Sequence, residues 1–340
     1  ESCMIVCHPT WWGDETDNSF DRILNGPDWW EVKRDYAQTD ELISIPIRLG
    51  MARKCPQKTW YNMWYSMRTL DIRTYYKETW KNARFGGRTH YLGYECNEPG
   101  IVLEVYPEGM LEELSIMEEK VEKLSLHVNS RPDARVLIIF GYEAVTNWKI
   151  EDKKSRYLSR RAKRMHQVLK FAKELFETPY LCEMIPSTEL LNGNVTVEEN
   201  KMLYMGHSYD AVILLYGEAM AKEAVSVIQK YDQNHGKLIV AGTTDCSFLT
   251  NYLYSEVLSA SQTADLLEQL EVPRMCGKNY CIYEDESIVY TGDGIVNVGN
   301  MIEVDTEFYG EKIQFTCNDY AVLKKTENML QVYTEHGGIR

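Results

Sequence analysis

Three groups of residues in the N-terminal part of the chain have the types and spacing of a sugar-handling site. His8, Trp11, Trp12, Asp14 and Glu15 close or follow an apolar run beginning at Cys3, Trp64 and Tyr65 close a strand-like stretch at 58–65, and Glu95 follows another at 88–94. Carboxylates can serve as general acid, general base or nucleophile, and they also accept hydrogen bonds from hydroxyl groups. Aromatic faces stack on the apolar faces of sugar rings. We therefore read Asp14 and Glu95 as catalytic candidates and His8, Trp11, Trp12, Trp64 and Tyr65 as substrate-binding candidates in a carbohydrate cleft. Each has a plainer alternative: the tryptophans as core packing, Asp14 as a loop cap, Glu95 as a solvated loop acid and His8 as a structural histidine. No metal is expected, because His and Cys clusters are lacking and Cys276 and Cys281 stand in no metal-like order. Carboxylate chemistry of this kind requires no cofactor.

These residues need strands to hold them. Residues 3–8, 59–64 and 89–94 read as strands, separated by helical patterns, which is the rhythm of parallel β/α units. The first helix starts near Asp28 and runs to about 53, with a kink or restart at Pro46; the second spans 71–84 and stops at Gly86 and Gly87. Over 109–126, Met110, Leu114, Met117, Val121 and Leu124 form an apolar stripe at helical period. A connector at 129–133, broken by Pro132, closes this part.

A second unit opens with the continuous apolar run 134–140, suited to a strand buried on both faces. A basic helix near 156–177, strands at 180–185, 211–216 and 237–241, and a helix at 222–231 continue the alternation of a flavodoxin-like, doubly wound sheet. The turn after its first strand is bulky and carries Glu143, which argues against a phosphate cradle; 242–245 reads as a plain strand-end loop. Arg160, Arg161, Lys163 and Arg164 share their helix with Glu174 and Glu177 and form a solvated face. Short apolar runs at 281–283, 287–290, 294–298, 302–308, 312–317 and 320–324, divided by turn residues, predict a small antiparallel β-sandwich.

Bulk properties narrow the partners. The 340 residues are 44% hydrophobic and 26% charged, an ordered composition large enough for two or three packed units. A net charge of −14 repels a phosphate backbone, so nucleic acid is not an expected partner, and no run of about 18 apolar residues spans a membrane. Nine cysteines, an odd number spread along the chain, indicate a reduced, cytoplasmic setting. The sequon Asn194-Val195-Thr196 is a pattern that arises often by chance. The chain starts at Glu1 without Met, and it reads as the C-terminal part of a longer protein whose upstream segment could carry a signal.

The order of partial barrel, doubly wound domain and small β-domain resembles the family 42 glycoside hydrolases and their relatives. Residues 86–94 look like the last barrel strand, 117–124 like the helix leaving the barrel, and 135–140 like the first strand of a β-galactosidase trimerisation-like domain, with 209–214 and 234–240 as its later landmarks. The resemblance implies a partial (β/α) TIM barrel over 1–128, a flavodoxin-like domain over 129–274 and a β-domain over 275–340. It also implies hydrolysis of a β-galactoside or related glycan, and a homo-oligomer. By the family's pattern the acid/base lies upstream of Glu1. The nucleophile would end the strand at 58–65, which carries Asn62, Trp64 and Tyr65 and no carboxylate. A non-catalytic carbohydrate-binding or scaffolding protein is the alternative. Three β/α units alone leave an open sheet edge, so the isolated chain is expected to be inactive and to associate.

Overall fold

The computed structural model describes residues 45–54, 60–64, 72–91, 110–142, 160–217, 220–242, 247–255, 259–292, 301–327, 329–335 and 337–339. They fall into two compact units. One combines 45–54 with the residues between 134 and 274; the other combines those between 57 and 133 with those from 275 onward.

In chain order the first elements are helix α1 (Ile45–Ala52), strand β1 (Trp60–Trp64), helix α2 (Ile72–Arg84), strand β2 (Gly87–Tyr91) and helix α3 (Met110–His127). There follow β3 (Val136–Phe140), α4 (Arg160–Phe176), β4 (Cys182–Pro186), α5 (Thr188–Leu191), β5 (Val195–Glu198), β6 (Lys201–Tyr204), β7 (His207–Tyr209) and β8 (Ala211–Leu215). Next come α6 (Lys222–Gln233), β9 (Lys237–Ala241), β10 (Leu253–Ser255) and α7 (Ala260–Gln269). The tail holds β11 (Tyr280–Ile282), β12 (Ile288–Thr291), β13 (Met301–Phe308), β14 (Glu311–Asn318), β15 (Tyr320–Thr326), β16 (Met329–Thr334) and β17 (Gly337–Ile339).

The first unit is built on a parallel sheet of order β10-β9-β8-β3-β4. Counting its strands along the chain, the order is 2-1-3-4-5, that of flavodoxin-like sheets. Val136, Leu137, Ile138 and Ile139 are fully buried. A parallel strand covered on both faces needs such an uninterrupted apolar run, and each side chain so buried contributes about 1.5–3 kcal/mol. Helix α6 ends with His235 in the left-handed region (φ 57°). Gly236 serves a different purpose: a Cβ there would lie 2.3 Å from the Tyr231 ring. Helix α1 packs on β4, an edge strand of the sheet. The approach is close enough that a Cβ at Gly50 would sit 2.5 Å from the Met184 carbonyl oxygen. Covering an edge strand with a helix blocks pairing with foreign strands.

The sequence reading did not anticipate the antiparallel meander β5-β6-β7. Its strands alternate, with Val195, Val197, Met202 and Tyr204 buried, and Met205 (φ 50°) and Gly206 (φ 82°) form the tight connection between β6 and β7. Strand β10 and helix α7, capped by the Ser259 hydroxyl accepting from Gln262 N at 3.3 Å, were also not anticipated.

In the second unit β1 and β2 pair in parallel. On α2, Tyr76, Trp80 and Ala83 are buried at i, i+4, i+7; on α3, Leu114, Met117, Val121 and Leu124 form the expected buried stripe. The tail forms an antiparallel sheet of order β11-β12-β15-β16-β17 and a separate hairpin, β13-β14. Ile288, Tyr290, Ile302, Val304, Phe308, Ala321 and Leu323 make one apolar core drawn from both. The hairpin turns through Tyr309 (φ 52°) and Gly310 (φ 80°), both left-handed as a two-residue loop requires. The structure is thus mixed α/β, with a parallel sheet and several antiparallel ones. Among the described residues no helix is long and apolar enough to cross a membrane.

Candidate carbohydrate site

In β/α units, functional residues gather at the C-terminal ends of the strands. The register of β1 on β2 runs from Trp60 opposite Gly87 to Trp64 opposite Tyr91, so Trp64 and Tyr91 stand side by side at that end. The other end is locked. The Trp60 indole N–H donates to the Phe85 carbonyl at 2.9 Å, and a Cβ on Gly87 would lie 2.4 Å from the Trp60 ring. Only glycine lets the strands meet there. This buried anchor sets the register that carries Trp64 to the strand end.

Of the expected site residues, Trp64 closes β1. His8, Trp11, Trp12, Asp14, Tyr65 and Glu95 lie outside the described residues. The strand proposed from residues 3–8 does so as well. Tyr91 was not singled out from the sequence, which placed the end of this strand at residue 94; the end at Tyr91 emerges only from the pairing with β1.

A pocket of about 40 Å³, lined by Gly86, Gly87, Arg88, Val121, Leu124 and Ser125, lies at the N-terminal end of β2. Arg88 Nη2 donates to Ser125 Oγ at 2.6 Å, and that hydroxyl donates to Glu122 O at 2.7 Å. Ligand clefts run from about 300 Å³, so this space suits a few waters rather than a sugar.

Two carboxylates that the sequence reading passed over, Glu183 and Glu189, are almost fully buried in the parallel-sheet unit. Glu183 on β4 is 2% exposed and Arg53, just past α1, 6%. Arg53 Nε donates to both Glu183 oxygens at 2.8 and 3.0 Å, and Tyr209 OH donates to the same carboxylate. Burial, and then the Glu183 charge, push the Tyr209 hydroxyl well above its ordinary value. Glu189 accepts from Lys54 at 3.1 Å, Asn194 at 2.8 Å and Tyr204 at 3.4 Å. With these oxygens engaged by the chain's own donors, the network fixes α1 and the meander to the sheet. It also holds Asn194, the sequon asparagine, against Glu189. The sequence signal was an acid inside the apolar run Cys182-Glu183-Met184-Ile185.

At the switch point of the parallel sheet, Gly141 N donates to Leu215 O at 2.8 Å and Tyr142 N to Ser187 Oγ at 2.9 Å. Tyr216 OH donates to Gln167 Oε1 at 2.8 Å. A phosphate cradle there would have to break the first two bonds. Among the described residues no group of three or more His, Cys, Asp or Glu side chains could hold a metal ion.

No protein-family model matches the sequence, and no curated protein matches it. Solved structures do. The chain is similar to a β-galactosidase from Rahnella sp. R3 at 10% identity and a TM-score of 0.50, over 86% of this chain and 58% of that one. It is also similar to a catalytic mutant of a GH42 β-galactosidase from G. stearothermophilus at 8% identity and a TM-score of 0.50, over 92% of this chain and 57% of that one. The chain therefore spans little more than half the length of each. At such identity the likeness concerns the fold, and the fold of this chain is glycoside hydrolase-like.

Proposed function

We propose that this protein acts on carbohydrate as a glycoside hydrolase, cleaving O-glycosidic bonds of a β-galactoside or related glycan with carboxylates and no cofactor. The observation that carries the reading is the glycoside hydrolase-like fold, within which paired β1 and β2 bring Trp64 to the strand end where such sites form. Asp14 and Glu95 are the proposed catalytic pair, and His8, Trp11, Trp12, Trp64 and Tyr65 line the sugar. In this chemistry one carboxyl group protonates the leaving oxygen while the other attacks the anomeric carbon or activates water. A spacing of about 5–5.5 Å leads to retention, and about 6.5–9.5 Å to inversion.

The proposal extends to organisation. Residues 1–128 belong to a barrel domain, 129–274 to a trimerisation-like domain that assembles homo-oligomers, and 275–340 to a small β-domain, in a cytoplasmic protein. A second reading, a carbohydrate-binding or scaffolding protein, is favoured by one feature: β1, where the resemblance calls for a nucleophile, reads Trp60-Tyr61-Asn62-Met63-Trp64 and holds no carboxylate. Titrating the chain with galactose-containing oligosaccharides, followed by tryptophan fluorescence and calorimetry, tests what both readings share. Saturable binding weakened by Trp64→Ala supports a carbohydrate site; no binding to any sugar refutes both.

A further inference from the structure

Cys276 and Cys281 face one another across an antiparallel bridge at the start of the tail. Two hydrogen bonds flank the bridge, Gly277 N to Tyr280 O at 3.0 Å and Ile282 N to Met275 O at 2.8 Å. The cysteines therefore occupy a non-hydrogen-bonded position of the ladder, where opposed Cα atoms approach to about 4.5 Å and side chains come closest. Disulfides span Cα separations of about 4.4–6.8 Å. Both residues are reduced thiols, 2% and 0% exposed.

We propose that Cys276 and Cys281 are a reversible disulfide site, closed by exchange with a small-molecule disulfide such as oxidised glutathione. The Cys276 thiolate attacks one sulfur of the oxidant, forming a mixed disulfide and releasing the first small thiol. Cys281, after losing its proton, attacks the Cys276 sulfur, forming the cross-strand bond and releasing the second. Two cysteine protons and two electrons leave, and one oxidant disulfide is reduced to two thiols. Burial pushes the Cys281 thiol well up, which assigns it the second step, inside the mixed disulfide, where its partner is held adjacent. Cys276 is 2% exposed, so its reaction requires the turn at 277–279, whose Lys278 is exposed, to open.

Closure would fasten a junction. In this unit Asp133 N donates to Ile282 O at 3.0 Å and Tyr283 OH to Arg84 O at 2.9 Å, so β11 holds both the connector after α3 and the end of α2. Cross-linking the bridge at its outer end keeps β11 seated.

Trypsin cuts after Arg274 and after Lys278, the latter between the two cysteines, which gives a direct assay. The intact chain is incubated with oxidised glutathione under native conditions, alkylated, digested without reductant and examined by mass spectrometry. The expected product is the 275–278 peptide joined to the peptide that begins at Asn279, lost on adding dithiothreitol, with a thermal midpoint that rises on oxidation in the native chain but not in Cys281→Ser. Alkylated Cys276 and Cys281, a mixed disulfide that persists at Cys276, or linkage to Cys182 or Cys317 instead would overturn the proposal.

Discussion

Arg53 and Glu183, 130 positions apart in the chain, meet in a two-pronged ion pair that ties the end of α1 to an edge strand of the parallel sheet. Removing one member of a buried pair strands the other charge, at a cost of about 3–5 kcal/mol. Arg53→Met should lower the unfolding free energy by about that amount in guanidinium titrations. Arg53→Met combined with Glu183→Gln should recover much of the loss, because no buried charge remains. If the double variant is the sum of the two single ones, the pair is not coupled.

The β1-β2 contact predicts an intolerant glycine. Gly87→Ala forces a methyl group into the Trp60 indole, and overpacking of this kind costs about 1–3 kcal/mol. The same change at Gly217, where a new Cβ would lie 2.7 Å from Cδ2 and 3.0 Å from Cγ of the branched Leu214 side chain rather than against a rigid indole, should cost less. Chemical denaturation of the two variants side by side checks the ranking.

His127 stacks on Tyr333 with ring centroids 4.1 Å apart. Burial, and secondarily the charge of Lys324, hold its imidazole below the ordinary value of 6.5. Between the lowered folded value and 6.5 the unfolded chain binds the proton more tightly, so stability falls as pH drops through that window. His127→Phe keeps the stacked ring and removes the titration. The native chain should therefore lose more stability than the variant between about pH 7.5 and about pH 5.5; equal losses in thermal melts would assign the pH response elsewhere.

What the sequence made legible follows from physics. Val136 to Phe140 could be read because a strand buried on both faces has no polar position to confuse the pattern, and α3 because Leu114, Met117, Val121 and Leu124 recur at helical spacing on one buried face. The meander escaped notice because Val195-Thr196-Val197-Glu198 is only four residues long and its partners become apparent only once paired. Glu183 and Arg53 escaped because a buried pair separated by 130 positions leaves no local signal beyond an acid in an apolar run. For the proposed carbohydrate site, residue type pointed to Trp64, and the parallel register added Tyr91 beside it. Turn glycines were legible as turns but not in their detailed duty, as Gly236 shows by yielding to the Tyr231 ring while His235 takes the left-handed conformation.

The central claim is catalytic, and the most direct measurement is the rate of nitrophenol release from a panel of nitrophenyl glycosides by the full-length protein and by its Glu95→Ala and Asp14→Ala variants. The account predicts turnover of a β-galactoside or related substrate, reduced about a hundredfold or more in at least one variant, as expected when an acid, base or nucleophile is removed. Turnover that neither substitution changes, or no turnover of any substrate, would contradict it.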